Sequence, residues 1–225
     1  MTGPDRTCAN CGAPVRAPYR APPMEQAPDL DGRPGEPTRS TLAHWIATCR
    51  RCRASAPDLS ALPPGAAAAT GAESYRALQS PFLRWAALCE AAGQRGQAGD
   101  AILQAAWAAD DAPESGDAAA LRLQAVALWG EPDEPGAVLR QVDVLRRAGA
   151  FDRAGALAAR LDPSSLDESF AAILRFQQDR IAAHDAGRHG IGSALRPPAR
   201  HPHAAHGRLD ASTRKPGLFR RLFGA

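Results

Sequence analysis

Apolar residues recur at helical spacing in the middle of the chain, from about residue 61 to about residue 186. The run before Gly149 places Val138, Val142 and Leu145 on one face of a helix. A later stripe that we expect to be buried is formed by Phe170, Ile173, Leu174 and Ile181. Because such stripes must pack against other elements, the pattern predicts amphipathic helices around a shared core.

Capping residues and helix breakers set the expected ends of these helices. Ser80 followed by Pro81 is typical of a helix start and Gly93 of a stop, which predicts a helix over 82–92. Ser164 or Ser165 would cap the last helix. The other predicted helices cover about 97–111, 118–129 and 166–186.

The two ends of the chain have a different pattern, and together with the middle they predict three regions. The first 60 or so residues are rich in proline, with a short strand predicted over 42–48, where β-branched and aromatic residues concentrate. From Gly187 onward glycine, proline and histidine dominate, which predicts a disordered tail. We therefore expect a mainly α protein: an N-terminal module over 1–60, a helical domain over 74–186 and a tail over 187–225.

Four of the five cysteines form two Cys-x-x-Cys pairs in the N-terminal module, Cys8/Cys11 and Cys49/Cys52. Two such pairs supply the four thiolates of a tetrahedral zinc site, so the spacing predicts a zinc ribbon with a long proline-rich insertion. Four protein ligands leave no open position for an activated water, which favours structural zinc over catalytic zinc. The alternatives are two unrelated pairs, a redox dithiol, or a site in which His44 replaces one thiolate.

The net charge of the chain is +3, but basic and acidic residues are unevenly distributed along it. Residues 187–225 carry eight basic and one acidic side chain, whereas 61–186 carry eleven basic and seventeen acidic side chains. The ribbon arginines Arg50, Arg51 and Arg53 have two interpretations. They could offset the negative charge of a zinc tetrathiolate, or, together with the basic tail, they could contact nucleic-acid phosphates.

Two segments of the helical middle have the spacing of a tetratricopeptide repeat. In the first, Trp85, Leu88 and Cys89 precede the turn, and small residues at Ala101, Ala105 and Ala108 follow it; Pro113 completes the pattern. The second is the run from Gly149 to Ala154, and an acidic, proline-containing stretch separates the two units. Stacked helix pairs of this kind leave a concave surface that commonly binds a protein partner, so we expect a protein-binding scaffold with Trp85 and Trp107 in its core.

The order of these parts resembles an uncharacterised bacterial family with an N-terminal zinc ribbon followed by repeat-like helices. The resemblance covers residues 8 to about 186 and depends on the paired Cys-x-x-Cys hooks, the segment 105–111 and the segment 143–151. It implies a metal and an architecture but no known reaction. No catalytic residue can be transferred from it.

Two features of the tail could make contacts. His201, His203 and His206 could capture a metal ion, although a solvated linker is the simpler interpretation. A basic amphipathic motif near the end could touch an anionic membrane or dock into a groove; its apolar residues are Leu218, Phe219, Leu222 and Phe223.

Enzymatic motifs are missing from the sequence: we find no phosphate-binding glycine loop, nucleophile elbow or His-Glu-x-x-His pattern. Cys89 with His184 as a base is a weak alternative, because Cys89 occupies a small-residue position of a packed helix. With no secretory signal or membrane span in the sequence, the expected compartment is the cytoplasm. The leading hypothesis is a non-catalytic zinc-binding adaptor, the second a nucleic-acid-binding protein, and the third, less favoured, a zinc hydrolase.

Overall fold

The computed structural model describes residues 6–195 except 113 and 115, and within that part of the chain it is mainly helical, as predicted. Two short strands, β1 (Ala47–Thr48) and β2 (Ser55–Ala56), form an antiparallel sheet near the N-terminus. The helices are α1 (Ala66–Gly71), α2 (Glu73–Ala77), α3 (Pro81–Ala91), α4 (Arg95–Asp111), α5 (Ala118–Trp129), α6 (Pro135–Arg147), α7 (Phe151–Ala158), α8 (Glu168–Ala182) and α9 (Ile191–Leu195).

Two helical hairpins, α3–α4 and α6–α7, have the same turn. Gly93 and Gly149 both have φ of +73°, and the amides around them bond to the ends of the preceding helices in the same pattern. A residue with a Cβ is strained at that angle, which explains glycine at the two positions. Ala98 and Ala154, five residues after each glycine, are fully buried and let the paired helices approach closely. The sequence therefore located both hairpins correctly.

Helix α4 is the centre of the helical layer, with α3 on one side and α5 on the other. The approach of α5 is close at Gly99, where a Cβ would lie 2.6 Å from the indole of Trp129. Helix α8 packs on α6 and α7 and begins one residue after Asp167, whose carboxylate accepts a hydrogen bond from the Phe170 amide. The cap is thus Asp167 rather than Ser164 or Ser165, and the helix ends at Ala182, before the predicted residue 186.

The strand predicted over 42–48 is wrong for most of its length. A 3-10 helix covers Arg39–His44, and only Ala47–Thr48 is extended. Leu42 and Ile46 are both buried and both belong to the helical core. Leu42 lies within the 3-10 helix, and the chain bends at residues 45 and 46 before β1 begins. The β-branched and aromatic composition, which suggested a strand, gave no sign of this tight turn.

The proline-rich insertion is part of the helical core rather than a peripheral loop. Leu30 is 3% exposed and packs with Leu42 and Ile46 among the residues of the helices. Part of the predicted N-terminal module therefore belongs to the helical core, while the residues around the cysteines form a small cluster of their own.

The chain after residue 186 also differs from the expectation, because residues 189–191 pair with the insertion and α9 packs on α8. The Leu30 amide donates to the His189 carbonyl at 3.0 Å, and the Ile191 amide donates to the Pro28 carbonyl at 2.9 Å. Ile191 is 2% exposed. The histidines at 201, 203 and 206 and the apolar motif at 218–223 lie outside the described residues.

Candidate metal centre and interaction groove

The two Cys-x-x-Cys hooks adopt the same backbone conformation. In the first, the Cys8 amide donates to the Ala13 carbonyl and the Gly12 amide to the Cys8 carbonyl, both at 2.8 Å. In the second, Cys49 and Arg53 repeat these two bonds at 2.8 and 2.9 Å, with Ala54 as the matching acceptor. Each hook is the end of a small hairpin, the first closed by a bridge between residues 7 and 14 and the second by β1 and β2.

The hairpins bring the four predicted cysteines together. Their Sγ atoms all lie within 4.8 Å of one another, and the pairs Cys8–Cys52 and Cys11–Cys49 are each 3.7 Å apart. Four sulfurs at about 2.3 Å from a central ion form a tetrahedron with edges of about 3.8 Å. The site therefore has the size and the donor atoms of a tetrathiolate metal centre.

Backbone amides point at the sulfurs in the same way in both hooks. Burial raises the pKa of the Cys8 thiol, against hydrogen bonds from the amides of Asn10 and Cys11. Burial also acts to raise the pKa of Cys49, but hydrogen bonds from the amides of Cys52 and Arg51, together with those of the Cys52 and Cys11 side chains, outweigh it and bring the pKa to about 7. Burial raises the pKa of Cys52 to about 12. Four thiolates so close together need a cation to stabilise them, which matches the geometry of a metal site.

Arg53 occupies the position that glycine has in the first hook. Its φ is +61°, close to the +71° of Gly12, so the second hook adopts the required conformation without the residue best suited to it. The second hook therefore has the same backbone shape as the first, and the absence of glycine costs it conformational strain.

We expect Arg53→Gly to stabilise the protein by about 1 kcal/mol, because glycine reaches this φ without steric cost. The Arg53 side chain is exposed and makes no ion pair within the described part of the chain. Arg53→Ala is the matched control, since it removes the same side chain but keeps the strain. Urea unfolding of the zinc-loaded variants measures the difference. Equal stability of the glycine and alanine variants would contradict this assignment.

Helices α1 and α2, which the sequence did not predict, support the hooks from behind. The Tyr75 hydroxyl accepts from the Ser55 amide at 3.1 Å and donates to the Arg53 carbonyl at 3.2 Å. The Asn10 amide group donates to the Thr70 hydroxyl at 3.0 Å. Trp85 packs against both the cysteine cluster and the main core. The hooks are therefore attached to the helices through Tyr75, Thr70 and Trp85.

His44 is not part of the sulfur cluster. It is exposed, and its ring lies against Tyr19 with the centroids 5.3 Å apart. Cys89 is fully buried in the core, and burial raises the pKa of its thiol to about 12, so it is not a thiolate at neutral pH. Trp107 is in the core as expected, being 4% exposed.

The arginines of the hooks form a small basic surface. Arg51 donates to the Cys11 carbonyl at 3.3 Å, and Arg6 is paired with Asp58 at 2.6 Å. Across 6–15 and 47–60, four arginines and Asp58 sum to +3, and four thiolates with a divalent ion contribute −2. The remaining net charge of this region is only +1. This favours the interpretation that the arginines balance the charge of the metal centre over the one in which they contact nucleic-acid phosphates.

A buried carboxylate that the sequence did not single out joins the insertion to three helices. Asp31 is fully buried and accepts from the Trp107 indole at 3.0 Å, from the Arg147 guanidinium, and from the Arg33 amide at 3.1 Å. Arg122 approaches it to 3.6 Å. Burial acts to raise the pKa of Asp31, but Arg147 and Arg122 hold it below its usual range.

A groove runs over α4 between α3 and α5. Its floor is formed by Ile102, Ala105 and Ala108, and Leu83 and Leu121 line it from the two sides. It consists of two adjoining clefts of about 610 and 690 Å³ that share these two leucines. We call this surface the α4 groove.

Comparison with known proteins does not identify the chain. No known family matches. The sequence matches no family model and no curated protein, and no solved structure matches it either. The resemblance to a bacterial ribbon-and-helix family therefore stays a prediction from the motifs. Among the described helices, none combines the length and apolar content needed to cross a bilayer.

Proposed function

We propose that this protein is a non-catalytic zinc-binding adaptor whose α4 groove binds an amphipathic helix of a partner protein. The observation that carries the proposal is the groove itself, since apolar side chains of α3, α4 and α5 line two adjoining clefts at the surface of the core, together with residues of α1, α2 and the 3-10 helix. A helix that lays its apolar face into such a groove is a common mode of protein recognition.

Zinc is the ion that the donor set favours. Four thiolates in a tetrahedron select zinc over oxygen-preferring cations such as Mg²⁺ and Ca²⁺. A complete shell of four protein ligands gives the ion no free position for a substrate or a water. We therefore assign zinc a structural role at Cys8, Cys11, Cys49 and Cys52, and assign the protein's function to a surface.

The charge around the α4 groove favours a partner helix with a basic polar face. Residues 61–186 have a net charge of −6. Glu90 and Glu114 line the groove, and neither makes an ion pair among the residues that the structure describes. Alanines along the floor leave room for large apolar side chains such as leucine and phenylalanine.

A pair of synthetic helical peptides tests the proposal on the full, zinc-loaded chain. Both have leucine and phenylalanine on one face; one has arginine on the other face and the second has glutamate there. We expect the arginine peptide to bind with a dissociation constant in the micromolar range, measured by fluorescence anisotropy, and the glutamate peptide at least about tenfold more weakly.

Ala87→Arg should weaken binding of the arginine peptide at least about tenfold, because it introduces a large basic side chain into the wall of the groove. Ala156→Arg is the matched control, since it makes the same change on an exposed face of α7 and should leave binding unaltered. If neither peptide binds, or if the two variants behave alike, the groove is not the interaction site.

A further inference from the structure

We infer that the C-terminal motif of this chain, residues 218–223, is an intramolecular occupant of the α4 groove and competes with the partner helix. The inference rests on the proposed function, because it concerns regulation of the same groove. It assigns to the motif a target within the protein itself.

The motif has the chemistry that the groove favours. If the motif is helical, one face would carry its four apolar side chains, Leu218, Phe219, Leu222 and Phe223. The opposite face would carry Arg220 and Arg221. Its arginines would meet the carboxylates of Glu90 and Glu114, which have no ion-pair partner in the part of the chain that the structure describes.

Charge on a larger scale acts in the same direction. The segment 187–225 carries +7 and the segment 61–186 carries −6. Opposite charges of this size on parts of one chain attract each other and favour contact between them. Salt screens this attraction, and the Debye length is about 8 Å at 0.15 M salt. Raising the salt concentration should therefore weaken the contact.

A short series of contacts links the last described segment of the chain to the groove. Arg39 lines the groove and is ion-paired to Asp29 at 2.6 Å, and Asp29 in turn forms a backbone bridge to Gly190. Helix α9 starts at the next residue and ends at Leu195. The 22 residues of 196–217 can span at most about 75 Å, which is larger than the diameter of a domain of this size.

Tethering makes even weak docking effective. A segment joined to its site by a chain of this length experiences an effective concentration on the order of 1 mM. If the intrinsic dissociation constant is about 100 μM, the tethered motif would occupy the groove about nine-tenths of the time. It would then weaken the binding of a competing peptide about tenfold.

Peptide binding by two full-length variants tests the inference. Leu218→Ser with Leu222→Ser removes half of the apolar face, and we expect the arginine peptide to bind this double variant about tenfold more tightly than the original chain. Leu209→Ser, in the same tail but outside the motif, is the control and should leave the affinity unchanged. Equal affinity of the double variant and the original chain would overturn the inference while leaving the proposed function intact.

A photo-cross-linking amino acid at position 223 provides a second readout. We expect cross-links within one chain to residues of the groove, with yields that fall in the Ala87→Arg variant and do not depend on protein concentration. Cross-links between chains would assign the motif to a second copy, and cross-links only on mixing with anionic vesicles would assign it to a membrane; either result overturns the inference. Failure of the proposed function is recognised separately, because the arginine peptide would then bind none of the variants.

Discussion

Removing zinc is expected to loosen the helical core as well as the two cysteine hooks. The metal joins the two ends of an insertion of 37 residues, from position 12 to position 48, and the middle of that insertion fills the core with Leu30 and Leu42. A cross-link closing a loop of this length removes about 4 kcal/mol of chain entropy from the unfolded state. Excess chelator should therefore lower the stability of the whole protein by at least that amount, measured by urea unfolding.

Hydrogen exchange locates the effect of zinc removal. The amides of Leu30 and Ile191 bond across to His189 and Pro28, far along the chain from the cysteines. We expect both amides to lose protection when the metal is removed. Cys11→Ser should reproduce the loss, whereas Cys89→Ala, which removes a buried thiol outside the cluster, should keep the response to chelator. Unchanged protection of both amides in the metal-free protein would show that the insertion is held without zinc.

Asp31→Asn is expected to destabilise the protein by about 3 to 5 kcal/mol, since it leaves buried guanidinium groups without their carboxylate. Arg147 and Arg122 are both almost fully buried, and within the described part of the chain the other carboxylate that forms ion pairs with them is Asp110. Asp100→Asn is the matched control. It removes a carboxylate paired to Arg140 at 3.0 Å, but the Asp100 side chain is 48% exposed, so the loss should stay below about 1 kcal/mol.

The effect of Asp31 should also depend on pH in a defined direction. Because the folded protein holds the pKa of Asp31 below its unfolded value, its contribution is fully present above the unfolded pKa of about 3.9. The contribution is lost as the pH falls through the lower, folded pKa. The stability difference between the original chain and Asp31→Asn should therefore shrink in strong acid, and a difference that stayed constant would contradict the assignment.

The parts of the fold that the sequence predicted are those governed by local rules. Ser80, Pro81 and Gly93 placed α3 within a residue of its observed ends, and the spacing of the Cys-x-x-Cys pairs predicted which four sulfurs meet. In each case the signal is carried by residues that are close in sequence or have a fixed chemical requirement.

The parts that the sequence did not predict depend on partners far along the chain. Asp31 in a proline-rich segment has the appearance of a solvated loop residue, because nothing near it shows that Trp107 and Arg147 will surround it. Ile191 similarly stands among glycines and histidines, and its burial depends on pairing with residues 28–30 and on packing against α8. The sequence predicted a concave surface but not the position of the α4 groove, because the groove depends on the distance between α3 and α5 over α4.

The pairing of Asp31 with Arg147 has a consequence for synthesis of the chain, since 116 positions separate the two residues. At about 5 to 20 residues per second, a ribosome makes Arg147 roughly 6 to 23 s after Asp31. Zinc can be captured much earlier, once Cys52 has emerged, and would keep the nascent insertion in a closed loop throughout the wait. Supply of the metal during translation, and not only its presence afterwards, should therefore determine the yield of native protein.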